Sequence, residues 1–392
     1  MMPNPSPFPL PVLPQDCPSM PKNPLTAPGT LEADGLTAAI AAGVVTAPGG
    51  IPAGQIQPSS LDLRLAAEAY RMPGSVLPVP GERVRDLVQG LALEKLDLSQ
   101  PVCLGRNQVY VVRLQESFAL PPGLEAYANG KSSTGRLDLA TRVLADGSPR
   151  YDRIPAGYHG EVWVELIPRS FAIVAAAGVS LNQAILFRDR SLLAQKDLLE
   201  RHRQVPVLFL PDGTPAPESS LVDGRAMMGA DLDREIVGFV AKRTHKALVL
   251  ANLGQHRPSD FFEPISRPDQ GMLFLGQDRF YILCTRERVA VPADLACEMV
   301  PYDPTAGDFR AHYAGFFDPG WGILDGKQVG ARAVLEVRPH QDDLILRHGQ
   351  PICAMAYERL QTPCTRLYGA CGNNYARQDG PRLSKHFQPT TP

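Results

Sequence analysis

Residues 130–136, Gly-Lys-Ser-Ser-Thr-Gly-Arg, form the segment with the clearest chemistry in this sequence. Ser132 and Ser133 offer hydroxyl donors beside glycines that let a backbone approach an anion closely. Lys131 and Arg136 bring positive charge to the same segment. The combination predicts a cradle for a polyphosphate, whereas the alternative is a polar turn that begins a helix with a serine as its N-cap.

Two segments of alternating pattern each place a carboxylate on a strand. Residues 160–167 contain Glu165, and residues 331–338 contain Glu336. A period of two surrounds each glutamate with apolar side chains on one face, which can raise its pKa and suit it to acid/base work. The alternative is a solvated strand face or, for Glu336, a cross-strand pair with Arg332.

Residues 316–322, Phe-Phe-Asp-Pro-Gly-Trp-Gly, contain a tight turn around Asp318. An Asp-Pro-Gly sequence is common in structural turns. The same turn could equally present the carboxylate of Asp318 to a sugar hydroxyl, and the residue types alone leave both interpretations open.

One apparent metal motif is incomplete. Residues 159–161 read His-Gly-Glu, as in zinc-dependent cytidine deaminases, and residues 363–364 read Pro-Cys, as in half of their second motif. That motif needs a second cysteine at position 367, which is Leu367. Because two thiolates complete the ligand set, we predict no zinc site.

An internal repeat shows which elements must position these residues. Residues 110–128 align without gaps on residues 281–299, and the same offset pairs Glu165 with Glu336. Two blocks in one register predict a duplication, in which the chain consists of two copies of one mostly-β domain. The abundance of turn residues, 34 Gly and 39 Pro, agrees with many short strands.

Composition limits the classes of protein to consider. At 392 residues the chain suits two or three domains. The net charge of −2 argues against a nucleic-acid partner, and no apolar run is long enough for a membrane helix. Seven cysteines at irregular spacing fit reduced thiols, so we expect a cytoplasmic protein.

Four segments are predicted along the chain. Ten of the 39 prolines lie before residue 29, so residues 1–29 are expected to form an extended arm. The first domain is predicted at 30–203 and the second at 225–392. Residues 204–224, which are rich in proline, are predicted to be the linker between them.

Taken together, these residues make the sequence resemble the 2′-deoxycytidine 5′-triphosphate (dCTP) deaminases, relatives of the trimeric dUTPases. The resemblance covers most of residues 30–386 and implies two tandem dUTPase-like distorted, jelly-roll-like β-barrels with a few short helices. Its segments are Gln57 to Leu65, Gly130 to Arg136, Ala314 with the turn at Asp318, Val334-Leu335-Glu336, and Tyr368 with the tail at 374–380.

The resemblance also implies the role of each site residue. Glu336 matches the general acid/base, while Ser132, Arg136 and the backbone at Ala314 match groups that position the attacking water. The remaining matches are to substrate-binding positions, at Lys131, Ser133, Asp318, Val334, Leu335, Tyr368 and Gln378. Lys131 stands where the family has arginine, and Asn374 stands where it has a phosphate-binding lysine.

Each copy departs from the family pattern in a different place. The first copy has Pro155 in place of the turn aspartate and has no comparable tail. In the second copy, residues 301–307 lack the serine pair and the arginine, and Asp303 there would repel a triphosphate. We therefore predict one composite site, with phosphate bound by the first copy and the nucleoside by the second.

The reaction that the resemblance implies is hydrolysis of dCTP to dUTP and ammonia for pyrimidine deoxynucleotide synthesis, without zinc and with Mg²⁺ bound through the triphosphate. A dUTPase, or a bifunctional enzyme that releases dUMP, is the first alternative. A non-catalytic nucleotide-binding β-protein is the second. Feedback by dTTP and a homo-oligomer stay open, and neither nucleic acid nor membrane is expected as a partner.

Overall fold

The computed structural model describes residues 25–301, 315–339, 342–369, 375 and 378–389. The first half is mostly strand. Its elements are β1 Gly29–Thr30, α1 Ala33–Ala41, β2 Val45–Thr46, β3 Leu61–Met72, α2 Val84–Leu91, β4 Glu94–Asp97, β5 Val102–Leu104, β6 Val109–Ala119, β7 Glu125–Gly130, α3 Ser132–Gly135, β8 Leu139–Ala145, β9 Arg153–Ile154, β10 His159–Pro168, β11 Ile173–Ala175, β12 Ser180–Arg188 and α4 Gln195–Gln204.

The second half continues with short strands. They are β13 Leu208–Phe209, β14 Leu221–Val222, β15 Arg225–Gly229, β16 Ile236–Ala241, β17 Leu248–Val249, β18 Phe262–Ser266, β19 Met272–Leu275, β20 Tyr281–Val289, β21 Leu295–Pro301, β22 Phe316–Phe317, β23 Ile323–Leu324, β24 Lys327–Gln328, β25 Ala331–Val337, β26 Leu344–Arg347 and β27 Pro351–Arg359. In the described residues, no helix is both long and apolar enough to span a membrane.

The strands of each half pair into curved, largely antiparallel sheets. In the first half, ten strands form one sheet in the order β8-β10-β6-β3-β12-β7-β9, with β1, β2 and β4 attached at its sides. The second half has two five-stranded sheets, β13-β20-β16-β18 with β25 beside β20, and β14-β15-β27-β21-β22. The predicted mainly-β fold of two tandem dUTPase-like barrels is confirmed.

The two halves repeat one strand plan at the offset found in the sequence. β12 and β27 lie 171 residues apart at both ends, as Ser180–Arg188 and Pro351–Arg359 show. A hydrogen bond repeats as well: the Tyr110 hydroxyl accepts from the backbone N–H of Gly105, and that of Tyr281 accepts from Gly276, both at 2.8 Å. The aligned residues therefore occupy equivalent places in the two barrels.

The structure differs from the predicted linker. Residues 204–224 include β13, which pairs with β20, and Leu208 within it is completely buried. α4 also buries Leu198 in the core of the second half. The proline-rich composition predicted a linker, whereas Leu208 of this two-residue strand packs in the core of the second half. Residues 1–24 of the predicted arm lie outside the described residues.

Candidate active site

The segment at 130–136 folds as a strand end followed by a single helical turn. β7 ends at Gly130, α3 runs from Ser132 to Gly135, and Lys131 stands at its N-cap without a side-chain cap bond. The interpretation of a serine N-cap is therefore wrong. The serine hydroxyls do not cap the turn. Ser132 and Ser133 line a narrow cavity.

Both halves of the chain build this cavity. The first half supplies Gln57, Lys131, Ser132, Ser133 and Gln183. The second half supplies Phe316, Phe317, Asp318, Trp321, Tyr368 and Tyr375. The geometry therefore joins the predicted phosphate loop of one copy to the predicted nucleoside turn of the other, within one chain.

The guanidinium of Arg136 faces the carboxylate of Glu336 across the junction of the halves. Arg136 Nε lies 3.7 Å from Glu336 Oε1, and the two residues are 3% and 4% exposed. Arg136 is held by the Tyr375 ring, 3.8 Å from its Cζ, and donates to the carbonyl of Arg382 at 3.1 Å. The pair is thus fixed by the described part of the C-terminal tail.

The predicted alternative for Glu336, a cross-strand pair with Arg332, is wrong. Arg332 Nη1 donates instead to Asp231 at 2.7 Å, and its Nε donates to Asp379 at 3.1 Å. Glu336 is left with Arg136 as its ionic partner among the described residues.

Burial controls the proton affinity of Glu336. Loss of solvent raises its pKa from 4.5 to about 7, and the neighbouring charge of Arg136 opposes part of that rise. A carboxyl with this pKa is present in both protonation states near neutral pH. It can therefore take up a proton and return it during one reaction cycle.

Asp318 belongs to the second half but is held by the first. The backbone N–H and the hydroxyl of Ser59 donate to its Oδ1 at 3.1 and 2.7 Å. Burial raises the pKa of Asp318 to about 6, although both Ser59 bonds lower it. Its turn requires Gly320, with φ +99°, because a Cβ there would lie 2.6 Å from the nitrogen of Tyr368.

The described tail residues close around the same turn. Tyr368 donates its backbone N–H to Pro319 at 2.8 Å, and its ring centroid lies 5.3 Å from that of Trp321. Gln378 donates its Nε2 to the carbonyl of Arg332 at 2.9 Å. Its Oε1 is buried and has no partner among the described residues, so it can accept a bond from a ligand.

Sequence reasoning missed a charged cluster beside the loop. The ammonium of Lys131 bonds to the buried carboxylate of Asp62, a residue of the strand motif at 57–65 to which no role was assigned. Lys385 lies near both, and burial followed by repulsion from Lys131 lowers its pKa. Ser384 Oγ, next to it, donates to the carbonyl of Ser133 at 2.7 Å. The tail therefore brings a second ammonium to the loop.

The remaining predicted substrate-binding residues that the structure describes do not line the cavity with their side chains. Val334 and Leu335 lie on β25 with their side chains 5% and 0% exposed in the hydrophobic cores, so a substrate would meet their backbone. Ala314 and Asn374 lie outside the described residues. A Cβ on Gly315 would be 3.5 Å from Ser132 Oγ, which brings the chain that follows position 314 to the loop.

Glu165, the counterpart of Glu336, has different surroundings. Its carboxylate accepts from the Ser75 hydroxyl at 3.1 Å and from the Tyr151 hydroxyl at 3.4 Å. Burial raises its pKa as well. All of these partners belong to its own half, whereas Glu336 faces Arg136 of the other half. The two glutamates are thus equivalent in the fold but not in their environment.

The residues of the incomplete zinc motif are separated and engaged elsewhere. His159 is exposed at the start of β10, and Glu161 forms an ion pair with Arg85 at 2.9 Å. The Cys364 thiol lies 3.3 Å from the carbonyl of Pro58, and burial raises its pKa. Within the described ranges, no group of three or more His, Cys, Asp or Glu side chains could hold a metal ion.

Comparison with known proteins shows which family the chain resembles. The family model "2′-deoxycytidine 5′-triphosphate deaminase (DCD) N-terminal domain" matches residues 27–190, and the model for the C-terminal domain matches residues 195–387. A crystal structure of 2′-deoxycytidine 5′-triphosphate deaminase from Agrobacterium tumefaciens superposes with a TM-score of 0.79 and 39% identity. The match covers 85% of this chain and 99% of that one.

Curated relatives align with about half of the chain. A "dCTP deaminase, dUMP-forming" of Acidothermus cellulolyticus is 32% identical over 162 residues, which are 40% of this chain and 78% of the relative. A "dCTP deaminase" of Natronomonas pharaonis is 26% identical over 185 residues, 45% of this chain and 86% of the relative. The chain therefore belongs to the 2′-deoxycytidine 5′-triphosphate deaminase family, enzymes of nucleotide metabolism that deaminate dCTP.

Proposed function

We propose that the chain hydrolyses dCTP to dUTP and ammonia at one composite site, with Glu336 as general acid/base. The observation that carries this proposal is the buried Arg136–Glu336 pair, which joins the phosphate loop of the first half to the strand of the second. Ser132, which lines the cavity, and Arg136 would orient the attacking water.

One carboxyl group, that of Glu336, can carry the protons that the reaction has to move. Water adds to C4 of cytosine while Glu336 takes one of its protons and passes it to N3. Glu336 would then carry the proton of the C4 hydroxyl to the amino group, which leaves as ammonia while a carbonyl forms at C4. General acid/base assistance of this kind contributes about 10²–10⁴-fold, and orientation and fixed charges supply the rest.

The substrate would lie across the two halves. Ser132, Ser133 and the ammonium of Lys131 would bind the triphosphate, since they line the cavity from the loop. The carboxylate of Asp318, which Ser59 already orients, would accept a bond from the deoxyribose hydroxyl. The unpaired Oε1 of Gln378 is available to a donor on the nucleotide.

No zinc enters this proposal, and Mg²⁺ would bind through the substrate. Two carboxylates beside the loop are already engaged, Asp62 by Lys131 and Asp318 by Ser59. A Mg²⁺ ion keeps several waters and prefers phosphate oxygens in such sites, so the residues present fit an ion carried by the triphosphate. When bound, it would neutralise phosphate charge.

A second candidate is an enzyme that goes on to release dUMP. The relative from Acidothermus cellulolyticus, whose name includes "dUMP-forming", favours keeping this alternative. Both reactions release ammonia, but the second yields dUMP and diphosphate in place of dUTP.

The test is a product assay with purified protein, dCTP and Mg²⁺. We expect ammonia and dUTP in equal amounts. Release of diphosphate with dUMP would favour the second candidate, and nucleotide binding without any product would refute an enzymatic role. A cytoplasmic location, feedback by dTTP and assembly into a homo-oligomer remain predictions.

A further inference from the structure

A second cleft lies at the junction of the halves and shares no lining residue with the cavity described above. Its volume of about 700 Å³ is within the range of small-molecule sites, about 300–1,000 Å³. Six basic and two acidic side chains line it. The basic ones are Arg106, Arg169, Lys242, Arg243, Arg279 and Arg338.

Equivalent turns of the two barrels form opposite parts of this cleft. Asn107 and Asp278, 171 residues apart, both have left-handed backbones, with φ of 54° and 55°. The N–H of Asn107 donates to Pro168 at 2.7 Å, and that of Asp278 donates to Pro339 at 2.8 Å. The repeated turn thus brings basic residues toward one cleft from both halves.

Most of these cations lack a neutralising partner. Arg338 is paired with Asp138, and a hydrogen bond from Ser170 helps to hold that carboxylate. In the described part of the chain, the other five basic side chains form no ion pair with a carboxylate. Arg106 donates instead to the carbonyl of Arg169 at 3.2 Å. The cleft therefore carries a net positive charge, since six basic side chains line it against two acidic ones and Asp138 pairs with Arg338.

Physical chemistry indicates what would bind here. Like charges gathered in a concave surface repel one another and focus a positive potential. A single monovalent anion balances only a fraction of that charge. A phosphate chain presents several anionic oxygens, and guanidinium groups bind phosphate oxygens through paired, charge-assisted hydrogen bonds.

We propose that this cleft is a second ligand site, which binds a small polyanion carrying a di- or triphosphate. That group is shared by inorganic polyphosphates and nucleoside polyphosphates. The proposal concerns binding alone and does not depend on the deamination chemistry.

The test is isothermal titration of inorganic tripolyphosphate into four forms of the full chain. The cleft variant combines Arg106→Gln, Arg243→Gln and Arg279→Gln, three exposed residues whose replacement should leave the fold intact. The matched control removes three equally exposed arginines elsewhere, in the substitutions Arg150→Gln, Arg225→Gln and Arg347→Gln. Wild type and Arg136→Ala complete the set, the latter with an altered deaminase site.

We expect a binding event separate from that of the loop at 130–136, which also binds a triphosphate in the proposed function. This event should weaken at least about tenfold in the cleft variant and persist in the control and in Arg136→Ala, because charge-assisted contacts are lost only in the first. Equal losses in the cleft and control variants, or a loss confined to Arg136→Ala, would overturn the proposal. ATP as a second probe separates the sources: equal affinity identifies the phosphate chain, and higher affinity identifies a nucleoside. Tighter binding of a short DNA duplex than of either probe would refute a small-ligand site.

Discussion

Replacing Glu336 with glutamine tests its role in catalysis separately from its role in stability. The change keeps size but removes the proton acceptor, so turnover of dCTP should fall about 10²–10⁴-fold, equivalent to about 3–5.5 kcal/mol of transition-state stabilisation. Nucleotide affinity should change little, because the phosphate and sugar contacts lie on other residues. Steady-state assay of ammonia release and titration of dCTP measure the two quantities.

The structure also gives the sign of the effect on stability. The folded-state pKa of Glu336 is about 7, above the ordinary 4.5, so its contribution is full below about pH 4.5 and is lost as the pH rises toward 7. The shift corresponds to about 3 kcal/mol by pH 8, at about 1.4 kcal/mol for each pKa unit. Glutamine cannot ionise, and Glu336→Gln should therefore melt no lower than wild type at pH 5 and higher at pH 8.

Glu165→Gln is the matched control, since Glu165 holds the equivalent strand position. Its partners Ser75 and Tyr151 belong to its own half, and the change should act on melting temperature while turnover stays close to wild type. Equal inactivation of the two variants, with both folded, would refute a single site per chain. Inactivation of Glu165→Gln alone would mean that the roles of the two copies are reversed.

Three other perturbations test the remaining parts of the site. Arg136→Ala should lower kcat for dCTP about tenfold or more, because the attacking water loses a group that orients it. It should also move the acid limb of kcat/KM, which lies near pH 7 in wild type, to higher pH, because Glu336 loses its neighbouring cation. An unchanged profile would show that the pair is only structural. Ser59→Ala removes a 2.7 Å hydrogen bond to Asp318 and should raise KM roughly fivefold with kcat nearly unchanged, as expected for about 1 kcal/mol of binding; a loss confined to kcat would contradict this. Chelation by EDTA should stop turnover until Mg²⁺ is returned, whereas a zinc-selective chelator should have no effect; recovery with zinc alone would overturn the metal assignment.

Sequence patterns, together with the family resemblance that they support, predicted the fold and named residues of both halves that the structure brings together. The 171-residue repeat predicted two copies, and the structure shows β12 and β27 at that spacing. Alternation predicted the strand that carries Glu336, and small polar residues gave the helical turn at 130–136 as the alternative to a phosphate cradle. The alternation and the small residues are local patterns, and the repeat is found by aligning the chain with itself, so a single sequence contains all three.

Only the tertiary structure decided which of these residues meet. Arg136 and Glu336 are 200 positions apart, and their contact depends on how the two barrels dock. The same docking places Ser59 on Asp318 and brings Lys385 of the tail near Asp62 and Lys131, none of which a local pattern shows. Proton affinity depends on it as well, because the pKa of a carboxyl is set by burial and by charges that distant segments supply.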